Sequence, residues 1–337
     1  MKALALFSGG LDSMLAIKLI TNQGIEVHAL HFDIGFSRDE NMLKTLERRA
    51  GEAGASFERV NITNKYLRNV LFSPKYGYGK AFNPCIDCHG YMFKTAICLL
   101  EEHKASFVIS GEVLGQRPMS QRSEAMRQVK KLSGNGEIIL RPMCAKLLPP
   151  SLPEINGWVD REKLEAINGR SRARQTELAT LFGFSEWASA GGGCPYTDKG
   201  FSARIRDWMA HEGKGREMDE LDLQSLRYGR HLRFESGAKL IIGRDESENN
   251  ALLELFNSGL NKQYMKAQID NFTGAFVLVS KSADESEREL SARFALTYGK
   301  SEGSKCYEVK IEDELINTSA FASKDEAKKY LVGEGIL

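Results

Sequence analysis

Ser8-Gly9-Gly10-Leu11-Asp12-Ser13 places two glycines, two hydroxyls and one carboxylate in six consecutive positions. A glycine turn leading into a helix leaves backbone N–H groups pointing at whatever sits in front of it, which suits an anion. Ser8 and Ser13 add hydroxyl donors. Asp12 is the discordant member, because a carboxylate repels a neighbouring phosphate unless a cation lies between them. A Mg²⁺ ion joining Asp12 to a triphosphate or pyrophosphate removes that conflict. The loop lacks the Gly-Lys-Ser/Thr ending of the Walker pattern, so it is a different phosphate device. Phe7, Ser8, Gly9, Gly10, Asp12 and Ser13 are therefore expected at a nucleotide. The plain alternative, a serine-capped turn with no ligand, leaves six specified positions unexplained.

A second stretch, Asn83-Pro84-Cys85-Ile86-Asp87-Cys88-His89, carries two thiols at CxxC spacing, just ahead of a helix expected over Tyr91–Lys104. The dipole at a helix start favours thiolates. Such a pair reads in three ways: metal ligands, a redox disulfide, or one nucleophile with a helper. Cys194 follows three glycines, Gly191 to Gly193, and precedes Pro195, the setting of a positioned ligand or nucleophile. Cys98 reads as core and Cys306 as inert, while Cys144, just behind Arg141, is left open.

These residues need elements to hold them. Strands are expected over Ala3–Phe7, Glu26–Phe32, Phe57–Asn61 and Phe107–Ser110, with helices over Ser13–Asn22 and Asp39–Ala53 as well as Tyr91–Lys104. That alternation predicts an α/β, doubly wound parallel sheet with ligands at the carboxyl ends of its strands. The second strand ends in His31-Phe32, where a backbone edge could read adenine; the His31 side chain itself reads as a half-buried strand-end histidine. Residues 1–150 are expected as the nucleotide domain. Residues 151–220 are expected as linker and second part of the catalytic region with Cys194, and residues 221–337 as a smaller α+β domain.

The run Leu148–Pro153 reads as a stiff extended linker, followed by Arg170, Arg172 and Arg174 as phosphate-backbone contacts and a helix over Gln175–Phe182. Arg204 and Arg206 lie on a basic helix further on. In the last third, Arg227, Arg230, Arg233, Lys239 and Arg244 form a basic stripe within an otherwise acidic segment, expected as an RNA-docking face, with packing or homodimerisation as the plainer use. Strands are expected there over Phe276–Val279, Ala292–Thr297 and Tyr307–Ile311, and a last helix over Lys324–Val332.

The net charge of +1 announces no polyanion partner, but residues 1–219 hold 30 Lys/Arg against 25 Asp/Glu and the remainder 16 against 20. The basic excess lies on the catalytic side. No apolar run approaches a membrane span and no signal-peptide pattern opens the chain, so a cytoplasmic enzyme without membrane contact is expected.

Ser8–Ser13 resembles the SGGxDS signature of the PP-loop ATP pyrophosphatases, whose domain is adenine nucleotide alpha hydrolase-like. Val108-Ile109-Ser110-Gly111-Glu112-Val113-Leu114-Gly115-Gln116, with Gln121 and Leu140-Arg141-Pro142 downstream, resembles the SGE-LGQ block of ThiI-type tRNA 4-thiouridine synthases. The CxxC is similar to that of the archaeal-type members and of 2-thiouridine synthases. The resemblance covers roughly residues 1–200. It implies that ATP and Mg²⁺ adenylate the C4 oxygen of a tRNA uridine and that sulfur then displaces AMP. Gly111 and Gln116 then join the ATP-binding set, with Asp12, Cys85, Cys88 and Cys194 catalytic. A [4Fe-4S] or [3Fe-4S] cluster on the three cysteines, with one position open, is implied; a persulfide resolved by disulfide exchange is the rival, and zinc with His89 a third arrangement. Formation of 2-thiouridine, or amidation of a small molecule beside a CxxC zinc site, are the alternative reactions. Within these residues no THUMP domain precedes the loop and no rhodanese-like domain follows, so an external sulfur donor, sulfide or a persulfide carrier, is expected. Ala238 to Asn250 resembles the IxxGR…N segment of the RNA-binding NFACT-R domain.

Overall fold

Lys2–Leu6 (β1), apolar and buried at its interior positions, is the central strand of a five-stranded sheet. The computed structural model describes every residue except 38, 189–192, 270–273, 303–304 and 334–337. Glu26–Asp33 (β2), Ser56–Asn61 (β3), Phe107–Ser110 (β4) and Ile139–Leu140 (β5) complete the sheet in the order β3-β2-β1-β4-β5. Every neighbouring pair is parallel. The helices are Leu11–Thr21 (α1), Glu40–Ala53 (α2), Thr63–Tyr66 (α3), Cys85–Cys98 (α4), Ser123–Leu132 (α5), Leu152–Ile155 (α6) and Ala173–Leu181 (α7). The chain winds outward from β1 to β3, then crosses back to place β4 on the other side of β1. The loops after β1 and β4 therefore part from each other and open a crevice at the carboxyl ends, where α/β sheets bind ligands.

α1 is buried along almost its whole length, with Met14, Ile17 and Ile20 against the sheet. α2 begins on Asp39, whose side chain accepts from the Asn41 and Met42 N–H groups, and ends on Gly54 in the left-handed region. α4 starts at Cys85, well before the expected Tyr91. Gly90, which breaks the helical pattern in the sequence, is instead a point of close approach: a Cβ there would lie 2.5 Å from Leu132 Cβ on α5. The thiols are thus in the first turn of the helix, not ahead of it. Cys98 ends that helix exposed, so it is not core.

The chain divides into two units, Met1–Gly193 and Cys194–Leu337. Leu148–Pro153 is not a linker between them. Ser151 N–H donates to Glu154 Oε2 at 2.7 Å in a capping box that starts α6, and Val159, Leu164, Ile167 and Leu178 return to the core of the first unit. Residues 194–220, assigned above to the catalytic region, cluster with the second unit.

That unit holds Lys199–Ala210 (α8), Glu220–Ser225 (α9), Glu246–Asn257 (α10) and Glu285–Tyr298 (α11). Its antiparallel sheet comprises Arg230–Arg233 (β6), Lys239–Ile242 (β7), Tyr264–Ile269 (β8), Val277–Ser280 (β9), Cys306–Ile311 (β10) and Glu314–Ser319 (β11), ordered β11-β10-β8-β9-β7-β6. Ala292–Thr297, expected as a strand, is the last part of α11. An Asp284–Glu287 capping box starts that helix, and Ala292, Phe294, Ala295 and Leu296 bury against the sheet. The expected last helix is a 3₁₀ segment, Lys324–Tyr330. No helix among the described residues is long and apolar enough to cross a membrane.

Candidate active site

The glycine loop closes β1 onto α1. Gly9 has φ +73°, a backbone conformation that favours glycine, and a Cβ on it would lie 2.2 Å from Leu46 Cδ2 and push that side chain aside. Ser13 Oγ donates to the Gly10 carbonyl at 2.7 Å, and Gly10 N–H donates to Ser8 Oγ at 3.4 Å. From α2, Arg49 Nη1 donates to the Gly9 carbonyl at 3.3 Å. Gly10 also pairs with Ala188 through a short parallel bridge, which brings the segment after α7 back over the loop. Residues 189–192, with two of the three glycines before Cys194, lie outside the described residues.

Across the crevice, Gly111 at the end of β4 meets the backbone of α1. A Cβ there would sit 2.5 Å from both Asp12 C and Ser13 N, so nothing larger than glycine lets β4 approach the helix start. The next residues supply polar groups. Gln116 Nε2 and Arg172 Nη2 donate to Asp12 Oδ2 at 2.9 and 2.8 Å. Gln175 Nε2 donates to Gln116 Oε1 at 3.3 Å. Asp12 Oδ1 and Gln175 Oε1 are buried and take no hydrogen bond. Buried polar atoms are nearly always satisfied, so two unspent acceptors in one cluster mark a place where a ligand belongs. The free Asp12 oxygen fits Mg²⁺, a hard cation that takes carboxylate oxygens.

Arg172 is therefore a member of this site, not an RNA-facing arginine. Gly169 N–H donates to the Leu114 carbonyl at 2.7 Å, which carries the Asn168–Arg172 loop alongside Leu114–Gln116 and delivers the guanidinium to Asp12. Arg174 is held by Glu165 and Glu177, and Arg170 is exposed.

Glu112, adjacent to Gly111, ties the thiol helix to the crevice. Its buried carboxylate accepts from His89 Nδ1 on α4 and from Arg141 Nε beyond β5, both at 2.7 Å. Burial alone would push its pKa up; Arg141 and His89 outweigh that and hold it at about 2. This contact uses only the Nδ1 of His89 and leaves Nε2 as the nitrogen that could ligate a metal. Arg141 also lies over the Phe93 ring. Cys144 is buried beside them, and burial pushes its thiol up to about 11, so it stays protonated and inert.

In the first turn of α4, Cys85 Sγ accepts from Asn83 Nδ2 at 3.1 Å. Asp87 accepts from the Lys75 and Tyr76 N–H groups at 2.7 and 3.0 Å, which pins the preceding loop to the helix. Cys85 is half-buried, Cys88 buried, and none of the six cysteines is in a disulfide. Their i, i+3 spacing puts the two sulfurs on one face, and thiolates are the donors an iron–sulfur cluster takes. Among the described residues of the first unit, no third His, Cys, Asp or Glu ligand atom joins them. Cys194 is exposed at the start of the second unit.

At the tip of β2, His31 Nδ1 donates to the Phe7 carbonyl (3.1 Å), and in the neutral ring Nε2 accepts from Ser37 Oγ (2.8 Å). Burial lowers its pKa, so the ring is neutral and serves to hold the loop. Phe32 is buried beside Asp33, which accepts from the Gly35, Phe36 and Ser37 N–H groups and from Arg59.

In the second unit the expected basic stripe is broken. Arg233 pairs with Asp207 and Glu212, and Lys239, 1% exposed, pairs with Asp207 at 3.0 Å. Both anchor α8 to the sheet and face no partner. Arg227 lies over Tyr228, Arg230 lies over Tyr298, and Arg244 pairs with Glu248. Arg230 and Arg244 line a small surface pocket with Arg204.

Sequence reasoning missed Glu112, Asn83 and Gln175 as site residues and misassigned Arg172. Glu112 sits inside the SGExLGQ block, and its carboxylate next to Gly111 was the available signal; Arg172 and Gln175 lie far from the loop in sequence and give none.

Residues 1–146 match the family described as Thiamine biosynthesis protein (ThiI), and residues 229–331 the NFACT protein RNA binding domain. A probable tRNA sulfurtransferase of Thermococcus kodakarensis is 30% identical over 181 residues, covering 53% of this chain and 42% of that protein. A tRNA-specific 2-thiouridylase of Clostridium botulinum is 31% identical over 104 residues, covering 27% of this chain and 29% of its own length. A solved 4-thiouridine synthetase–RNA complex with bound ATP aligns at 20% identity and a TM-score of 0.37, over 56% of this chain and 44% of that one. The chain spans less than half the length of the curated relatives it matches.

Proposed function

From a chain that carries a ThiI-type domain over residues 1–146 and an NFACT-type RNA binding domain over residues 229–331, we propose an ATP-dependent tRNA sulfurtransferase that makes 4-thiouridine. The observation that carries this reading is the chain of contacts Asp12–Gly111–Glu112–His89, which sets the CxxC helix beside the nucleotide loop. A single crevice can then serve two steps that must share one uridine.

A uridine carbonyl has no leaving group, so its C4 oxygen first attacks the α-phosphorus of ATP and pyrophosphate departs. The Ser13 and Met14 N–H groups donate to the Gly10 carbonyl at 3.0 and 3.2 Å, so those of Leu11 and Asp12 would be the ones to face the phosphates, with the Ser8 and Ser13 hydroxyls beside them. Asp12 would hold Mg²⁺ through its free oxygen, the ion neutralising charge on the phosphates. Arg172 and Gln116 fix the Asp12 carboxylate and, through Gln175, extend that polar wall. Sulfur then attacks C4 and AMP leaves with the old oxygen. Cys85 and Cys88, with Cys194 as third thiolate, are the residues that would hold an iron–sulfur cluster, which supplies an iron to bind incoming sulfide. Sulfide can serve as the donor; a persulfide would instead attack with its outer sulfur, and a second thiol would then cleave the S–S bond, releasing the thiolated base and leaving a disulfide. Arg230, Arg244 and Arg204 would meet the tRNA phosphates.

The test is direct. Purified protein given ATP, Mg²⁺, sulfide and a uridine-containing tRNA should release pyrophosphate and yield 4-thiouridine by nucleoside mass spectrometry. Pyrophosphate release that does not depend on tRNA, with no thionucleoside formed, would remove the reading and favour a small-molecule substrate.

A further inference from the structure

Away from the crevice, two imidazoles and a carboxylate converge on the first unit's sheet. His28 on β2 pairs in register with Ser56 on β3, and Leu30 with Glu58, so Ser56 and Glu58 share the face that His28 occupies. His103 reaches the same place from the turn between α4 and β4. Its N–H closes onto the Leu99 carbonyl at 3.1 Å, and Lys104 follows with φ +52°, which turns the chain toward β4.

The geometry is that of a ligand set. His28 Nε2 lies 3.0 Å from Glu58 Oε2, and His103 Nε2 lies 3.5 Å from the same oxygen. The three ligand atoms all fall within 4.8 Å of one another. In a tetrahedral site with bonds near 2.0–2.1 Å, neighbouring ligand atoms sit roughly 3.4 Å apart, so little movement separates this arrangement from coordination. His28 Nδ1 is 2.7 Å from Ser56 Oγ, an outer partner that can take the Nδ1 proton and leave Nε2 as the lone-pair nitrogen. His103 Nε2 is buried and makes no hydrogen bond, although its ring is stacked on His28 with centroids 4.8 Å apart. An imidazole nitrogen buried without a partner beside a second imidazole and a carboxylate is what a metal ligand looks like before the ion is added.

We propose that His28, Glu58 and His103 bind a borderline divalent transition ion, Zn²⁺ foremost, with water in the fourth position. Two imidazoles and one carboxylate suit Zn²⁺ and disfavour Mg²⁺, which takes oxygen ligands. The half-exposed Glu58 leaves a path for the ion to enter. The site lies near the amino ends of the strands. His28 and Asp33, at the crevice end, are five steps apart along β2, about 16 Å at the rise of an extended strand. The ion would tie β2, β3 and the turn before β4 together, and the assignment is independent of the thiolation reading.

Cobalt titration of the chelator-treated full chain tests it. One equivalent should give the visible bands of tetrahedral Co²⁺ without the near-ultraviolet sulfur-to-cobalt band that the CxxC thiolates would produce, and Zn²⁺ should displace it. Zn²⁺ should also raise the melting temperature in a concentration-dependent way. His103→Ala and Glu58→Gln should each weaken binding by about 100-fold or more, and Ser56→Ala by about 10-fold. Circular dichroism and melting in chelator confirm that the variants fold, and the half-exposed Glu58 is the milder change. No signal of this kind, or only a thiolate-type band, would overturn the proposal. So would a nitrogen/oxygen-type signal unchanged in both His28→Gln and His103→Ala.

Discussion

Asp12 is shared between two demands: Arg172 and Gln116 hold one oxygen, and the other is left without a partner. Asp12→Asn keeps the shape but removes the charge a cation needs. It should lower Mg²⁺-dependent pyrophosphate release by at least about 100-fold, measured by coupled pyrophosphate assay. Gly111→Ala acts through sterics, since its Cβ would press on α1 backbone at 2.5 Å. The backbone can yield only by separating β4 from α1, so a loss of about 1–3 kcal/mol by denaturant melting and loss of ATP binding are expected. Glu112 makes a pH prediction with a definite sign. Its folded pKa of about 2 lies below the ordinary 4.5, so its stabilisation is present above pH 4.5 and is lost as the pH falls toward 2. Glu112→Gln, which strands the buried Arg141, should cost about 3–5 kcal/mol at neutral pH. That deficit against wild type should shrink in urea melts taken from pH 5 downward; a deficit independent of pH would contradict the assignment.

At the scale of elements, the proposed function draws its sulfur chemistry from the two thiols in the first turn of α4. Cys85→Ala or Cys194→Ala should abolish thiolation and leave ATP binding intact, measured by nucleoside mass spectrometry beside nucleotide titration; wild-type turnover in either would remove both the cluster and the persulfide schemes. The parallel sheet was legible in the sequence because β1 and β4 are short, largely apolar runs and β2 carries buried Val27, Ala29, Leu30 and Phe32, patterns that need no distant partner to be recognised. The start of α4 was not. Gly90 reads locally as a break, and only Leu132, which packs against its bare Cα, makes it a contact point. The end of α11 was misread for a related reason. Ala292–Thr297 has the apolar content of a strand, and the cap that makes it helical, Asp284 with Glu287, lies more than a turn upstream. Arg172 shows the limit most sharply, since its place beside Asp12 depends on one backbone bond from Gly169 to Leu114.

For the whole molecule, the proposed function puts adenylation and the CxxC thiols in the first unit, and Cys194 and the grip on tRNA in the second. The arginines of the second unit sort into two kinds. Arg233 is locked to Asp207 and Glu212 within the fold, whereas Arg230 and Arg244 line a surface pocket. Arg230→Ala or Arg244→Ala should weaken tRNA binding and lower the dependence of log K on log salt by about 1 each. Arg233→Ala should instead lower the melting temperature. The measurement that bears most directly on the central claim is nucleoside mass spectrometry of tRNA from cells lacking the protein. Loss of 4-thiouridine, restored by the wild-type chain and not by Asp12→Asn, is the predicted result. Retention of 4-thiouridine with loss of 2-thiouridine, or retention of both, would contradict it.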